Sequence, residues 1–187
     1  MSDIVAIARA CVDAGADGLS LINTLLGMVI DPVTMRPALG GITGGLSGPA
    51  IRPVAIRCLW QVHEALPRVP LIGMGGVRTG LDALEFVLAG ASAVSVGTTI
   101  FNDPTAPVRV LAELRLALAD RGFTRFADAV GYAHRPPDAP IELAEAESES
   151  EAATDPYAGE PPVLDVREGD TPAGAQPAGT LGTPGTA

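Results

Sequence analysis

Pro70-Leu71-Ile72-Gly73-Met74-Gly75-Gly76-Val77 is the stretch on which the rest of the chain turns. The apolar run over 70–74 has the length of a buried parallel strand, and it ends in two glycines. Behind it, Leu81, Leu84, Val87 and Leu88 recur at helical spacing, and Gly90 supplies a left-handed stop. The same grammar returns one unit later. A strand over 92–96 ends in Gly97-Thr98, and Leu111, Leu114 and Leu118 mark a helix that closes before Gly122, with a short helical turn near 126–130. Upstream, a strand over 19–22 ends in Asn23-Thr24. A helix over 53–66 places Val54, Ala55, Cys58, Leu59, Val62 and Leu66 on one face, with Pro53 in its first turn. The first helix, capped by Ser2 and running to about Ala14, lines up Ile4, Ile7, Ala8, Cys11 and Val12 before Gly15.

The order is α-β-α-β-α-β-α, which predicts an α/β fold of parallel strands joined by helical crossovers. Three strands cannot close a barrel. They suit a small open sheet or, better, the C-terminal part of a (β/α)8 TIM barrel, about three β/α units, whose last loops commonly form a phosphate cradle. On that reading residues 1–134 are the C-terminal half of a barrel and the N-terminal half is absent. Residues 135–187 read as a disordered, acidic, Pro/Gly-rich tail, because the Glu-Ala-Glu-Ser-Glu-Ser-Glu stretch at 145–151 cannot bury enough apolar surface to offset its ordering. The tail is either an interaction segment or a solvated extension.

Charge follows the same division. Of 22 acidic and 12 basic side chains, the last 53 residues hold 11 and 2, so almost all of the net charge of −10 belongs to the tail. A nearly neutral folded part without clustered cations argues against nucleic-acid binding. No lysine occurs anywhere, which removes Schiff-base chemistry. The longest uncharged run, 86–102, is too short and too polar to span a bilayer. Met1-Ser2-Asp3 shows no secretory pattern, and two cysteines on helical faces read as reduced thiols, so a cytoplasmic location is expected.

Gly75-Gly76 and Gly97-Thr98 each follow a strand and precede a helix, so backbone N–H groups can approach an anion. Each is otherwise a tight turn, with Thr98 a donor hydroxyl or a cap. The 28 residues from Asn23 to Ala50 contain six glycines, and the apolar residues among them argue for an ordered lid. Asn23 stands at the end of a strand, where its amide offers a donor and an acceptor to a flat ligand or forms an Asx-type turn. Cys11 and Cys58 read as core residues and His63 as a surface residue. His134 carries no mechanism, and two histidines without a cysteine pair at ligand spacing give no support for a metal.

Asn23-Thr24-Leu25-Leu26-Gly27-Met28, Arg36-Pro37-Ala38-Leu39, Thr43-Gly44-Gly45-Leu46-Ser47-Gly48-Pro49-Ala50-Ile51-Arg52-Pro53, Ile72-Gly73-Met74-Gly75-Gly76-Val77 and Ala89-Gly90-Ala91-Ser92-Ala93-Val94-Ser95-Val96-Gly97-Thr98 occur in that order. Together they resemble the C-terminal half of dihydroorotate dehydrogenase, most closely the catalytic subunit of the cytosolic class 1B, NAD-linked type. The Gly-Gly-Leu-Ser-Gly-Pro-Ala-Ile segment is specific; the glycine turns are shared by many phosphate-binding barrels.

The resemblance implies an FMN-dependent oxidoreductase of pyrimidine biosynthesis that converts dihydroorotate to orotate, a base taking the C5 proton while hydride leaves C6 for the flavin. It implies that Ile22 and Gly48 contact FMN through the backbone. Gly75, Gly76, Gly97 and Thr98 would hold its phosphate, and Asn23 and Thr24 would hydrogen-bond the pyrimidine. It also implies an oligomer in the full-length form and an iron–sulfur FAD subunit as electron-transfer partner. The family's flavin-contacting lysine, with its Ser-Pro-Asn turn, and its catalytic cysteine belong to the half that precedes this chain, and Cys11 and Cys58 match neither. The rival readings are a non-catalytic remnant or interaction module, and another phosphate-binding barrel enzyme.

Overall fold

The computed structural model of the protein describes residues 3–136, all within one compact unit. The tail lies outside the described residues from 137 onward. Three parallel strands, β1 (Leu19–Leu21), β6 (Leu71–Met74) and β7 (Ala93–Ser95), form one sheet in the order β1-β6-β7. Helices α1 (Ile4–Asp13), α2 (Arg52–Ala65), α3 (Gly80–Leu88) and α4 (Ala106–Ala119) alternate with them, and a single turn, α5 (Phe126–Ala129), follows. The predicted alternation is therefore observed, with boundaries moved by a residue or two. At the first helix the cap is Asp3, whose carboxylate accepts from the N–H groups of Val5 and Ala6.

Parallel pairing sets Leu19, Ser20 and Leu21 opposite Leu71, Ile72 and Gly73, and Ile72, Gly73 and Met74 opposite Ala93, Val94 and Ser95. All three strands thus end at nearly the same level. The loops that leave them, at Ile22, Gly75 and Val96, emerge side by side. Gly73 lies in the middle strand because the Phe86 ring of α3 lies directly on it: a Cβ there would stand 2.5 Å from the ring. Phe86, Leu59, Leu71, Val62 and Val87 are fully buried where α2 and α3 cover the sheet. Burial of each such side chain contributes about 1.5–3 kcal/mol. Gly80, at the start of α3, lets α4 cross at contact distance, since a Cβ there would stand 2.4 Å from the Glu113 backbone.

Residues 23–50 are more regular than a loop. β2 (Leu25–Met28) pairs antiparallel with β5 (Thr43–Leu46), and inside that ribbon β3 (Ile30–Asp31) pairs with β4 (Arg36–Pro37). Asp31 holds the tip, accepting from Val33 N–H at 2.8 Å and from the Thr34 hydroxyl at 2.9 Å. These bonds, the one from Val33 first, draw its carboxyl below the usual range.

Two expectations are corrected here. Cys11 is exposed: α1 packs against α2 with only Ala8 fully buried, so the apolar stripe is wider than the face that is covered. Cys58 is buried, as expected. His63 is half-buried and not a free surface residue. Its Nδ1 is buried and, among the described residues, has no hydrogen-bond partner, and Gly90 and Gly131, both at positive φ, leave the space its ring fills. His134 stacks on Trp60 with ring centroids 3.6 Å apart, and its Nε2 lies 3.1 Å from the Ala89 carbonyl oxygen.

Candidate functional site

A cleft of about 140 Å³ opens where the three parallel strands end. Ile22, Asn23 and Thr24 enter it from the end of β1, Gly75, Gly76 and Val77 from the end of β6, and Gly97 and Thr98 from the end of β7. Ser47, Gly48 and Ile51 close the fourth side, where β5 runs into a 3-10 turn (Pro49–Ile51) that leads into α2. Every residue singled out in the sequence for binding lies in this lining.

Each wall is fixed by a specific contact. Gly76, at φ +76°, sits so close to the β5–α2 connection that a Cβ would stand 2.6 Å from the Gly48 carbonyl oxygen and 3.1 Å from Pro49 Cα. Only a glycine allows that approach. Gly75, at φ +126°, packs so closely on α2 and the turn before it that a Cβ would stand 3.0 Å from the Ala55 Cβ and 3.2 Å from Ile51 Cδ1. The loop behind them is tied down by Asp82, whose Oδ2 accepts from the N–H groups of Arg78 at 2.9 Å and Thr79 at 3.0 Å, while its other oxygen pairs with Arg52 of α2. Thr79 returns the contact by accepting from the Asp82 N–H, a capping box at the start of α3. Thr99 donates its hydroxyl to the Val77 carbonyl at 3.0 Å, which joins the β6 and β7 loops. Thr24 leans on the ribbon at Gly45, where a Cβ would collide with the threonine side chain.

The polar groups left over define what the cleft can hold. Among the described residues, the N–H groups of Gly75, Gly76, Gly97 and Thr98 donate to no backbone carbonyl. Gly97 has nothing within 4 Å of where a Cβ would be, so its side of the cleft is open. Thr98 opens a 3-10 turn (Thr98–Phe101) whose N-cap is Gly97, so it is not the cap, and its hydroxyl has no partner among the described residues. The Asn23 side-chain oxygen accepts from the Thr24 N–H at 2.8 Å. That bond runs to the next residue and not two residues on, so it is not an Asx turn, and it leaves the amide nitrogen as a donor at the cleft. Among the described residues, no ionisable side chain lines the cleft, and neither cysteine reaches it. Such a site can position an anion and a polar ring; it holds no general base of its own.

Ser47, Ser95, Met74 and Thr99 also line the cleft and were not singled out by the sequence. Ser47 falls within the specific Gly-Gly-Leu-Ser-Gly-Pro segment, so its signal was available. Ser95 had none, since the inward or outward choice on a three-residue strand is set by the sheet. Among the described residues there is no cluster of three or more His, Cys, Asp or Glu placed to hold a metal ion, and no helix is long and apolar enough to cross a membrane.

Residues 1–118 match the family model for dihydroorotate dehydrogenase. The chain belongs to that family. The catalytic subunit of dihydroorotate dehydrogenase B (NAD(+)) from Geobacter sp. (strain M21) is 55% identical over 131 residues, covering 70% of this chain and 43% of the relative. The corresponding subunit from Desulforudis audaxviator is 55% identical over 135 residues, covering 72% and 44%. Among solved structures, the dihydroorotate dehydrogenase of Eimeria tenella, in complex with ferulenol, is similar with a TM-score of 0.59 and 35% identity over 71% of this chain and 35% of that one. The chain thus spans under half the length of the curated relatives it matches. The membership singles out the dihydroorotate dehydrogenase family among the many proteins that place a Gly-Gly turn after one strand and a Gly-Thr turn after the next. It agrees with an α/β fold built on a parallel sheet.

Proposed function

We propose that residues 1–134 are the C-terminal half of the (β/α)8 barrel of a cytoplasmic, FMN-dependent dihydroorotate dehydrogenase of the class 1B type, and carry the flavin-phosphate cradle and part of the orotate site. The observation that supports this best is convergence. Ile22, Asn23, Thr24, Gly48, Gly75, Gly76, Gly97 and Thr98, drawn from four separate connections, line one cleft. The cleft suits the group: unpaired N–H donors at Gly75, Gly76, Gly97 and Thr98 favour an anion, and among the described residues no carboxylate lines it.

Bound FMN supplies the hydride acceptor for oxidation of dihydroorotate to orotate. The chain's residues do the positioning. The two glycine turns bind the phosphate through backbone dipoles, and Ile22 and Gly48 contact the flavin through their main chain. The Asn23 amide nitrogen donates to a pyrimidine carbonyl, while the local bond to Thr24 fixes its rotamer. Thr24 lines the cleft next to Asn23 while its hydroxyl lies against Gly45 of the ribbon. The general base and the flavin-contacting lysine come from the half of the barrel outside this chain. The iron–sulfur FAD subunit, where present, completes electron transfer to NAD; the words "catalytic subunit" in the names of the relatives support such a partner.

Titration of the purified full chain with FMN tests the reading. Quenching of flavin fluorescence with a defined stoichiometry, and a further shift of the flavin spectrum on adding orotate, are expected. Binding of neither FMN nor orotate would leave a non-catalytic remnant as the better description.

A further inference from the structure

A second, larger groove of about 430 Å³ adjoins the cleft and shares Gly48, Thr98 and Thr99 with it. Two guanidinium groups border it, and they differ in one respect. Arg109 is committed: it donates to Asp103 at 2.9 and 3.1 Å and to Glu113 at 2.9 Å. Asp103, which also borders the groove, is offset by that pairing. The Arg78 side chain is exposed and, among the described residues, has no hydrogen-bond or ion-pair partner. Its backbone, by contrast, is clamped on both sides, the N–H donating to Asp82 at 2.9 Å and the carbonyl accepting from Arg109 at 3.2 Å. The result is an uncommitted cation on a fixed base, two residues beyond Gly76 and bordering a groove that is continuous with the cradle.

The cradle itself offers only dipoles, yet a phosphate monoester carries between one and two negative charges at neutral pH. Backbone N–H groups reward an acceptor oxygen but do not neutralise net charge, whereas a guanidinium does both and matches phosphate oxygens with two parallel donors. We propose that Arg78 is the charge-reading residue of the cradle: its side chain crosses from the outer groove to the phosphate monoester and selects the phosphorylated flavin over the unphosphorylated one. The proposal rests on the reading of the cleft as a flavin site. It assigns to this chain a phosphate contact made by a charged side chain, where the resemblance supplies glycines and a threonine.

The test compares FMN with riboflavin, by fluorescence titration of the full chain at low and at moderate salt. In the unaltered chain FMN binds more tightly than riboflavin, and added salt narrows the gap, because an exposed guanidinium is screened. Arg78→Ala is expected to weaken FMN about 10-fold, to leave riboflavin unchanged and to abolish most of the salt dependence. Arg78→Lys keeps part of the preference, and Arg115→Ala on α4 changes nothing. Unaltered melting temperatures confirm that each variant is folded. Equal loss of FMN and riboflavin in Arg78→Ala would show a structural role and overturn the proposal. FMN binding that is the same in Arg78→Ala as in the unaltered chain would overturn it too, while leaving the flavin site standing. Absence of flavin binding in the unaltered chain would remove both.

Discussion

Gly76 and Gly97 serve the same cleft under different constraints. Gly76 combines φ +76° with a neighbouring carbonyl oxygen 2.6 Å from where a Cβ would lie. Gly76→Ala therefore forces the β6 loop away from Gly48, at a cost of about 3 kcal/mol from left-handed strain and overpacking together. Gly97 has φ −106° and open space around it. Gly97→Ala should keep the melting temperature within about 2 °C, since no contact is lost, and should weaken FMN severalfold by placing a methyl group on the cleft lining. Paired melting curves and FMN titrations check both expectations; a Gly97→Ala chain that binds FMN normally would take Gly97 out of the cradle. The two glycine turns were legible in the sequence because a strand, a Gly-Gly or Gly-Thr pair and a helix are contiguous. The opposing demands on them were not, because Gly48 and Pro49 approach from a connection that the chain leaves 25 residues or more before it reaches Gly76.

At the scale of elements, α2 meets the ends of α3 and of the final 3-10 turn (Tyr132–His134) through His63. Burial first, and the neighbouring His134 second, hold the His63 pKa below its ordinary value. A histidine kept neutral by the fold gains its proton more readily in the unfolded chain. Its contribution to stability is therefore complete above the unfolded value of about 6.5 and is lost as the pH falls below it. Melting temperature should fall between pH 7.5 and 5.5, and His63→Leu should flatten that part of the profile; an unchanged slope would exclude His63 as its source. Nothing local announces this environment, since Glu64 beside it is exposed and the residues that enclose the ring, Gly90 and Gly131, lie far along the chain. The ribbon over 23–50 was hidden for a related reason. Leu25-Leu26-Gly27-Met28 lacks the alternation of a half-buried strand, and its pairing with Thr43–Leu46 is set by register across the intervening residues.

For the whole molecule, the decisive feature is the sheet β1-β6-β7, with β1 and β7 at its two edges. A separate apolar groove of about 440 Å³ runs along β7 and α4, lined by Val94, Val96, Val110, Leu111, Leu114 and Phe126. Ile72 on the middle strand is 43% exposed. Unpaired strand edges beside apolar surface favour association. Expressed as the 187-residue chain, the protein should self-associate, with light-scattering mass that rises with concentration and a broad melting transition. A monodisperse monomer that melts in one sharp step would show that the described unit is self-sufficient.

The sequence by itself determined the alternation of helices and strands, the parallel sense of the sheet and the glycine turns that line the cleft. Each of these follows from short-range periodicity, from the conformational range of glycine, or from a motif written in consecutive residues. Only the tertiary structure decided that four connections meet in one cleft, that Asp82 braces it through Arg52, that His63 is enclosed and Cys11 is not, and that Arg78 stands uncommitted while Arg109 is engaged. Those outcomes depend on which distant backbone reaches each side chain first. That competition is settled by strand register and by helix packing over Gly73 and Gly80, not by the residues adjacent in the chain.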